Sequence, residues 1–294
     1  LGVTAPFYIS QNDGTLMTAE FVAQYPVLTF ASGPTNSMRG AAYLSGLEDA
    51  IVVDIGGTTA DVGVLSGSFP RESTVSVDIG GVRTNFRMPD ILAVGLGGGS
   101  EVSEDGARVG PRSVGYQLRS RARVFGGDVL TATDIAVAAG YAAIGDASRV
   151  AALPPAVVER AVARIHALIT EAVDRMKTSA AAMPLILVGG GAVLVNRAIP
   201  GASEVVVPEH AGVANAIGAS IAQVGGEIDK VYAYDNVSRE QALEEAKAEA
   251  CANAVAAGAA ATTVRVVDLE ELPLNYMPGN AVRVRVKAAG DLEQ

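Results

Sequence analysis

The sequence is poor in the residues that form disulfides and most protein metal sites. It contains one cysteine, Cys251, and two histidines, His166 and His210, which stand 44 positions apart. These counts exclude an internal disulfide and a multi-cysteine zinc site, and they argue against a histidine-based metal cluster. We expect Cys251 to pack within an alanine-rich helix, His166 to lie on a solvent-exposed helix surface and His210 to lie in a loop.

Long apolar runs and an excess of basic residues are also missing. The most apolar stretch, residues 180–195, contains Pro184 and three glycines and is shorter than the roughly 20 residues that a membrane-spanning helix requires. The 22 Lys and Arg residues are outnumbered by 32 Asp and Glu residues, which gives a net charge of −10. A basic surface for nucleic acid or anionic membrane is therefore not expected, and the sequence predicts a cytoplasmic protein with neither partner.

What the chain does contain is enough apolar material for a sizeable core. Of its 294 residues, 49% are hydrophobic and 18% are charged, a composition typical of a folded protein rather than a disordered one. At about 150 residues per domain, this length predicts roughly two domains.

The most distinctive motif is the octet DIGGTTAD (residues 54–61), which lies between two β-branched apolar runs. This pattern predicts a hairpin whose glycines let backbone N–H groups approach phosphate oxygens, while threonine hydroxyls add donors and the carboxylates hold Mg²⁺. A plain hairpin turn is the alternative. The candidate residues are Asp54 and Thr58 as catalytic groups, Asp54 and Asp61 as Mg²⁺ ligands, and Gly56, Gly57, Thr58 and Thr59 as nucleotide-binding groups.

A second glycine motif follows a buried apolar run in LILVGGGA (residues 185–192). Glycines at the end of a strand allow a flat ligand to lie on the backbone, or allow two elements to pack closely. Its first glycine, Gly189, stands 135 residues after Asp54, and the motif is preceded by a long amphipathic helix predicted at residues 155–178. Gly189, Gly190 and Gly191 are the candidate ligand-binding residues of this motif.

The order of these two motifs resembles the actin-like ATPase superfamily, in which a phosphate motif precedes an adenosine motif. This resemblance makes Gly189, Gly190 and Gly191 candidate nucleotide-binding residues. Further segments resemble the A-type subunits of the hydantoinase/oxoprolinase family. They are NDGTLM (12–17), SGP (32–34), RGAA (39–42), GGVRTNFR (80–87) and GLGGGS (95–100).

This resemblance implies an α/β fold, a ribonuclease H-like or actin-like ATPase lobe with a small α+β C-terminal extension. It also implies ATP and Mg²⁺ as cofactors, ATP-dependent ring opening of a cyclic amide such as hydantoin or 5-oxoproline, and a B-type subunit as partner. Self-association is a further expectation. A small sugar or pantothenate-type kinase and a non-catalytic actin-like assembly module are the alternative functions.

Members of this family begin with another phosphate loop, which residues 1–45 do not match. The chain is therefore expected to be the C-terminal part of a subunit. Its predicted parts are a connecting segment (1–45), an actin-like lobe (46–228) and an α+β extension (229–294). We expect the chain to bind ATP weakly by itself and to expose apolar surface near residues 1–45.

Six further residues are candidate substrate contacts, each with a structural alternative. Asn12 and Asp13 form a predicted turn, and Gly98 and Gly99 a tight loop; Arg83 and Asn85 stand in an arginine-containing segment suited to an anionic substrate or to ion pairs.

Overall fold

The computed structural model describes residues 7–73, 78–79, 81–83 and 87–293. The strands are β1 (Tyr8–Ser10), β2 (Thr15–Thr18), β3 (Ala50–Ile55), β4 (Ala60–Ser66), β5 (Phe69–Pro70), β6 (Asp78–Ile79), β7 (Val82–Arg83), β8 (Ile91–Val94), β9 (Ser100–Val102), β10 (Val109–Ser113), β11 (Met183–Val188), β12 (Ala202–Val206), β13 (Gln223–Ala233), β14 (Arg265–Pro273) and β15 (Ala281–Gly290). The α-helices are α1 (Ala19–Gln24), α2 (Ser32–Ser45), α3 (Leu118–Arg121), α4 (Ala132–Ala138), α5 (Pro155–Met176), α6 (Ala214–Ser220) and α7 (Arg239–Ala256).

The chain divides into two compact units. The central unit comprises Gly33–Ser220, and the split unit comprises Leu1–Ser32 together with Ile221–Gln294. These boundaries differ from those predicted at residues 45 and 228. The physical reason is a strand pairing between distant parts of the chain, because β2 lies parallel to β13 through Thr15 and Leu16. The N-terminal segment therefore shares a sheet with the C-terminal segment.

The central unit is built on one mixed sheet. Its strands follow the order β12-β11-β3-β4, and both β5 and β8 pair with β4. β3, β4 and β8 are antiparallel, whereas β11 lies parallel to β3 and β12 parallel to β11. This is the order of a ribonuclease H-like sheet. β3 and β11 are apolar on both faces, since their alternate side chains enter two different buried clusters.

The long helix α5 covers one face of this sheet. It begins at Pro155, as the periodicity predicts, and ends at Met176, two residues before the predicted end. Its stripe of Val162, Ile165 and Ile169 is buried. His166 is also buried, with 9% of its surface exposed, so its predicted exposure is wrong. The reason is that the chain after β11 returns over this side of the helix, where the Asn196 N–H donates to His166 Nε2 at 3.4 Å.

The split unit contains a five-stranded sheet in the order β1-β2-β13-β15-β14. Helix α7 packs on it through a row of alanines that includes Ala246, Ala250 and Ala254. This close approach depends on Gly226, where a Cβ would overlap the backbone of α7. Cys251 is half-buried beside the same cluster, which agrees with its predicted packing role.

Several aromatic side chains of the N-terminal segment are exposed, namely Phe7, Phe21, Tyr25 and Phe30. The predicted apolar surface near residues 1–45 is thus present. Within the described part of the chain, every helix is too short or too polar to cross a bilayer.

We expect a His166→Gln variant to lose stability less steeply than the wild type between about pH 7.5 and about pH 5.5. Burial and the Arg197 guanidinium lower the pKa of His166 from 6.5, against the opposing charge of Glu159. The unfolded chain then binds more protons in this range, so stability decreases as the pH falls. Urea unfolding at each pH measures the effect, and the same change at exposed His210 is the control. Equal slopes for wild type and His166→Gln would contradict it.

Candidate functional site

The octet forms a tight turn between β3 and β4. The Gly56 N–H donates to the Thr59 carbonyl at 2.9 Å, which closes the turn, and β4 begins at Ala60. Gly57, Thr58 and Thr59 are exposed at its tip. The turn therefore presents Gly57 and two threonines to solvent, and the strands that hold it are largely buried.

Asp54 and Asp61 lie opposite each other at the base of this turn, as register partners on β3 and β4. Both are half-buried. Burial, and secondly the negative charge of Asp54, raise the pKa of Asp61 to about 6. A divalent cation would relieve this repulsion, and Mg²⁺ commonly takes one or two carboxylates together with phosphate and water oxygens.

A second glycine loop supports the octet turn from behind. The N–H groups of Gly98 and Gly99 donate to the carbonyls of Gly56 and Gly57 at 3.0 and 2.7 Å. A Cβ on Gly97 would overlap the backbone at Thr58, so glycine is required at this contact. The loop is buried, and its N–H groups at residues 98 and 99 are occupied by the turn. These contacts give Gly98 and Gly99 a supporting position under the turn.

The supporting loop is itself fixed by helix α4. Thr133, in the first turn of this helix, donates its N–H and its hydroxyl to the Gly98 carbonyl, at 2.9 and 2.8 Å. Thr131 and Asp134 form the capping box that starts the helix. The octet turn is thus held by the loop at residues 97–100, and this loop is held in turn by the first turn of α4.

The glycine triplet lies directly beside the octet. β11 runs parallel to β3 with Val188 opposite Asp54, and the Gly191 N–H donates to the Ile55 carbonyl at 2.7 Å. Gly189 has a φ of +82°, and a Cβ there would overlap Asp54 Oδ1. Gly190, in contrast, is exposed and has open space where a Cβ would be. Two motifs 135 residues apart therefore meet at one edge of the sheet.

One further segment, residues 113–116, borders the octet and is not among the predicted site residues. Ser113 donates its hydroxyl to the Gly57 carbonyl at 3.4 Å, and a Cβ on Gly115 would stand 4.0 Å from Thr58 Oγ1. The next residue, Tyr116, is 96% exposed. The composition of this segment could have marked it as a candidate, because residues 106–127 carry five arginines and no acidic residue in a chain of net charge −10.

The other candidate residues lie elsewhere. Asn12 and Asp13 are buried in the split unit. Arg83 belongs to β7, opposite Asp78 in a two-stranded sheet, and Asn85 lies outside the described residues. Among the residues that the structure describes, no group of three or more His, Cys, Asp or Glu side chains could hold a metal.

Comparison with known proteins identifies two relatives that match part of this chain. The chain is 36% identical to the acetophenone carboxylase gamma subunit of Aromatoleum aromaticum over 120 residues, which are 38% of this chain and 16% of that protein. It is 30% identical to the caprolactamase subunit alpha of Pseudomonas jessenii over 151 residues, or 49% of this chain and 22% of that protein. The matched stretches are thus less than a quarter of each relative.

Two solved structures share the fold over nearly the whole chain. The nucleotide-free acetone carboxylase structure has a TM-score of 0.65 at 18% identity, covering 99% of this chain and 53% of that one. The ATP-dependent caprolactamase from Pseudomonas jessenii has a TM-score of 0.66 at 20% identity, covering 100% and 54%. The chain thus spans about half the length of both. The predicted fold class, an actin-like α/β lobe with a smaller α+β part, is confirmed.

The family described as Hydantoinase/oxoprolinase matches residues 1–176, more than half of the chain. The matched range includes the octet and its supporting loop. The chain belongs to the hydantoinase/oxoprolinase family.

Proposed function

We propose that the central unit binds ATP, with the phosphates at the octet turn and the nucleoside at the glycine triplet. The observation that carries this proposal is the meeting of the two motifs at adjacent strand ends, with Gly57, Thr58 and Gly190 exposed. Glycine-rich turns after buried strands are well suited to phosphate groups, because their N–H groups are accessible and their position is fixed.

Within this site, each residue type has a distinct task. The N–H groups at the tip of the turn and the hydroxyls of Thr58 and Thr59 donate to phosphate oxygens. Asp54 and Asp61 hold Mg²⁺, which supplies positive charge to the transferring phosphoryl group. Since the buried loop at residues 97–100 fixes the turn, these donors need little rearrangement when charge develops.

We further propose that the whole enzyme phosphorylates the carbonyl oxygen of a cyclic amide and opens the ring. An amide carbon is a poor electrophile. When the carbonyl oxygen attacks the γ-phosphorus, ADP leaves and the amide becomes an imidate-like phosphate ester. Water then attacks the carbon, and the C–N bond breaks so that the ring nitrogen leaves as an amine and the carbon is left as an acyl phosphate. A second water hydrolyses the acyl phosphate to a carboxylate and inorganic phosphate. The relative named caprolactamase, 30% identical over 151 residues, supports this reaction class.

A second candidate is ATP-dependent carboxylation of a ketone, supported by the relative named acetophenone carboxylase at 36% identity. Both candidates share phosphorylation of a carbonyl-derived oxygen. The two are distinguished by which added substrate stimulates ADP release from the complete enzyme. Ring opening requires a cyclic amide, whereas carboxylation requires a ketone together with bicarbonate. Both relatives are named as subunits, so we propose that this chain acts together with another subunit, such as a B-type one.

We expect Asp54→Asn to reduce Mg²⁺-dependent ATP hydrolysis by the complete enzyme by roughly 100-fold or more. The change keeps the shape of the side chain and removes the charge that holds the metal. Phosphate release measures activity, and circular dichroism checks the fold. Asp174→Asn, on the exposed side of α5, is the matched control and should keep full activity. Normal turnover by Asp54→Asn would show that Asp54 does not hold the metal.

We expect Gly190→Val to weaken Mg-ATP binding at least about tenfold without loss of stability. The protein leaves open space at Gly190, so the added side chain enters the volume assigned to the nucleoside. Calorimetric titration of the complete enzyme with Mg-ATP and thermal unfolding measure the two effects. Ala156→Val adds similar bulk at an exposed residue of α5 and is the control. A Gly190→Val variant that binds ATP normally would place the nucleoside elsewhere.

A further inference from the structure

The split unit contains a cavity of about 520 Å³ that the ATP site does not use. Its walls come from β2, helix α1, the start of β13, the end of α7 and β15. β2 pairs with β13 at Gln223 and Val224, and the cavity lies where β13 continues through Gly225 and Gly226. It is large enough for a small organic molecule.

One wall of the cavity carries a fixed pair of opposite charges. Lys287 Nζ lies 3.1 Å from Asp13 Oδ2, and the two side chains are only 12% and 8% exposed. Asp13 Oδ1 accepts hydrogen bonds from the N–H and the hydroxyl of Thr15 at 2.8 and 2.7 Å. Burial opposes ionisation, but Lys287 and Thr15 outweigh it and lower the pKa of Asp13. A hydrogen-bond acceptor and a donor thus stand side by side in defined positions.

The remaining wall is largely apolar. Met17, Phe21, Leu28 and Ala256 contribute to it. Such a surface favours a ligand with a hydrocarbon part, while the charged pair selects a polar part of matching geometry. The ligand must therefore combine a small apolar body with an adjacent donor and acceptor.

A cyclic secondary amide has this combination. In a small ring the amide is cis, so its N–H and its C=O point to the same side, whereas an open-chain trans amide points them in opposite directions. The N–H can donate to the Asp13 carboxylate while the carbonyl accepts from the Lys287 ammonium. The ring methylenes then face the apolar wall.

We propose that this cavity is a binding site for a small cyclic secondary amide, held by Asp13 and Lys287. The assignment of the amide class rests on the proposed function, whereas the donor and acceptor positions come from the cavity itself. A charged pair that serves stability alone is the competing explanation, because buried ion pairs also occur as structural elements.

The test uses the full chain without nucleotide and three small probes in a ligand-observed NMR titration. We expect 2-pyrrolidone and ε-caprolactam to bind with dissociation constants on the order of millimolar, given their few atoms. N-methyl-2-pyrrolidone has the same ring and carbonyl but no N–H, and it should bind at least about tenfold more weakly. Equal binding of the methylated and unmethylated rings, or no binding of any probe, would overturn the proposal.

A double variant tests whether the probes bind at Asp13 and Lys287. Asp13→Asn combined with Lys287→Met removes both charges without leaving either one buried alone, and it should abolish the preference for the N–H lactam. Asp229→Asn combined with Arg285→Met removes an ion pair outside the cavity wall and should keep the preference. An unchanged preference in the first variant would overturn the proposal. Since ATP is absent, this result is independent of the tests of the nucleotide site.

Discussion

The candidate site depends on the parallel pairing of β3 with β11. This pairing places Val188 opposite Asp54 and brings the strand ends, each followed by glycines, to the same edge of the sheet. The register is fixed by burial on both faces, because Val53 and Leu187 enter one apolar cluster while Val52 and Ile186 enter another. A shift by one residue would place each of these side chains in the other cluster and would offset the two motifs by one position along the sheet edge.

The glycines around this edge have different physical tasks. Gly97, Gly189 and Gly191 allow backbone contacts that a Cβ would prevent, so they shape the site from inside. Gly57 and Gly190 have no neighbour where a Cβ would stand, and the fold alone does not require them to be glycine. We propose that a bound ligand occupies the space beside this exposed pair.

Local patterns predicted the elements that their own residues determine. The apolar runs around the octet predicted the hairpin. The apolar stripe on α5 predicted a helix whose end differs from the observed one by two residues. Contacts between distant segments were not predictable in this way. The loop at residues 97–100 supports the octet through backbone hydrogen bonds, which leave no pattern in side chains. His166 is buried by a segment 30 residues away, and helical periodicity does not describe what covers a helix from outside.

Amide hydrogen exchange in the complete enzyme, with and without saturating Mg-ATP, tests the nucleotide site because it reports on individual segments of the chain. We expect slower exchange at residues 56–59 and 189–191 when the nucleotide is added, with β15 unchanged as an internal reference. Protection confined to other segments, with the octet turn and the glycine triplet unaffected, would contradict the assignment of this edge as the nucleotide site.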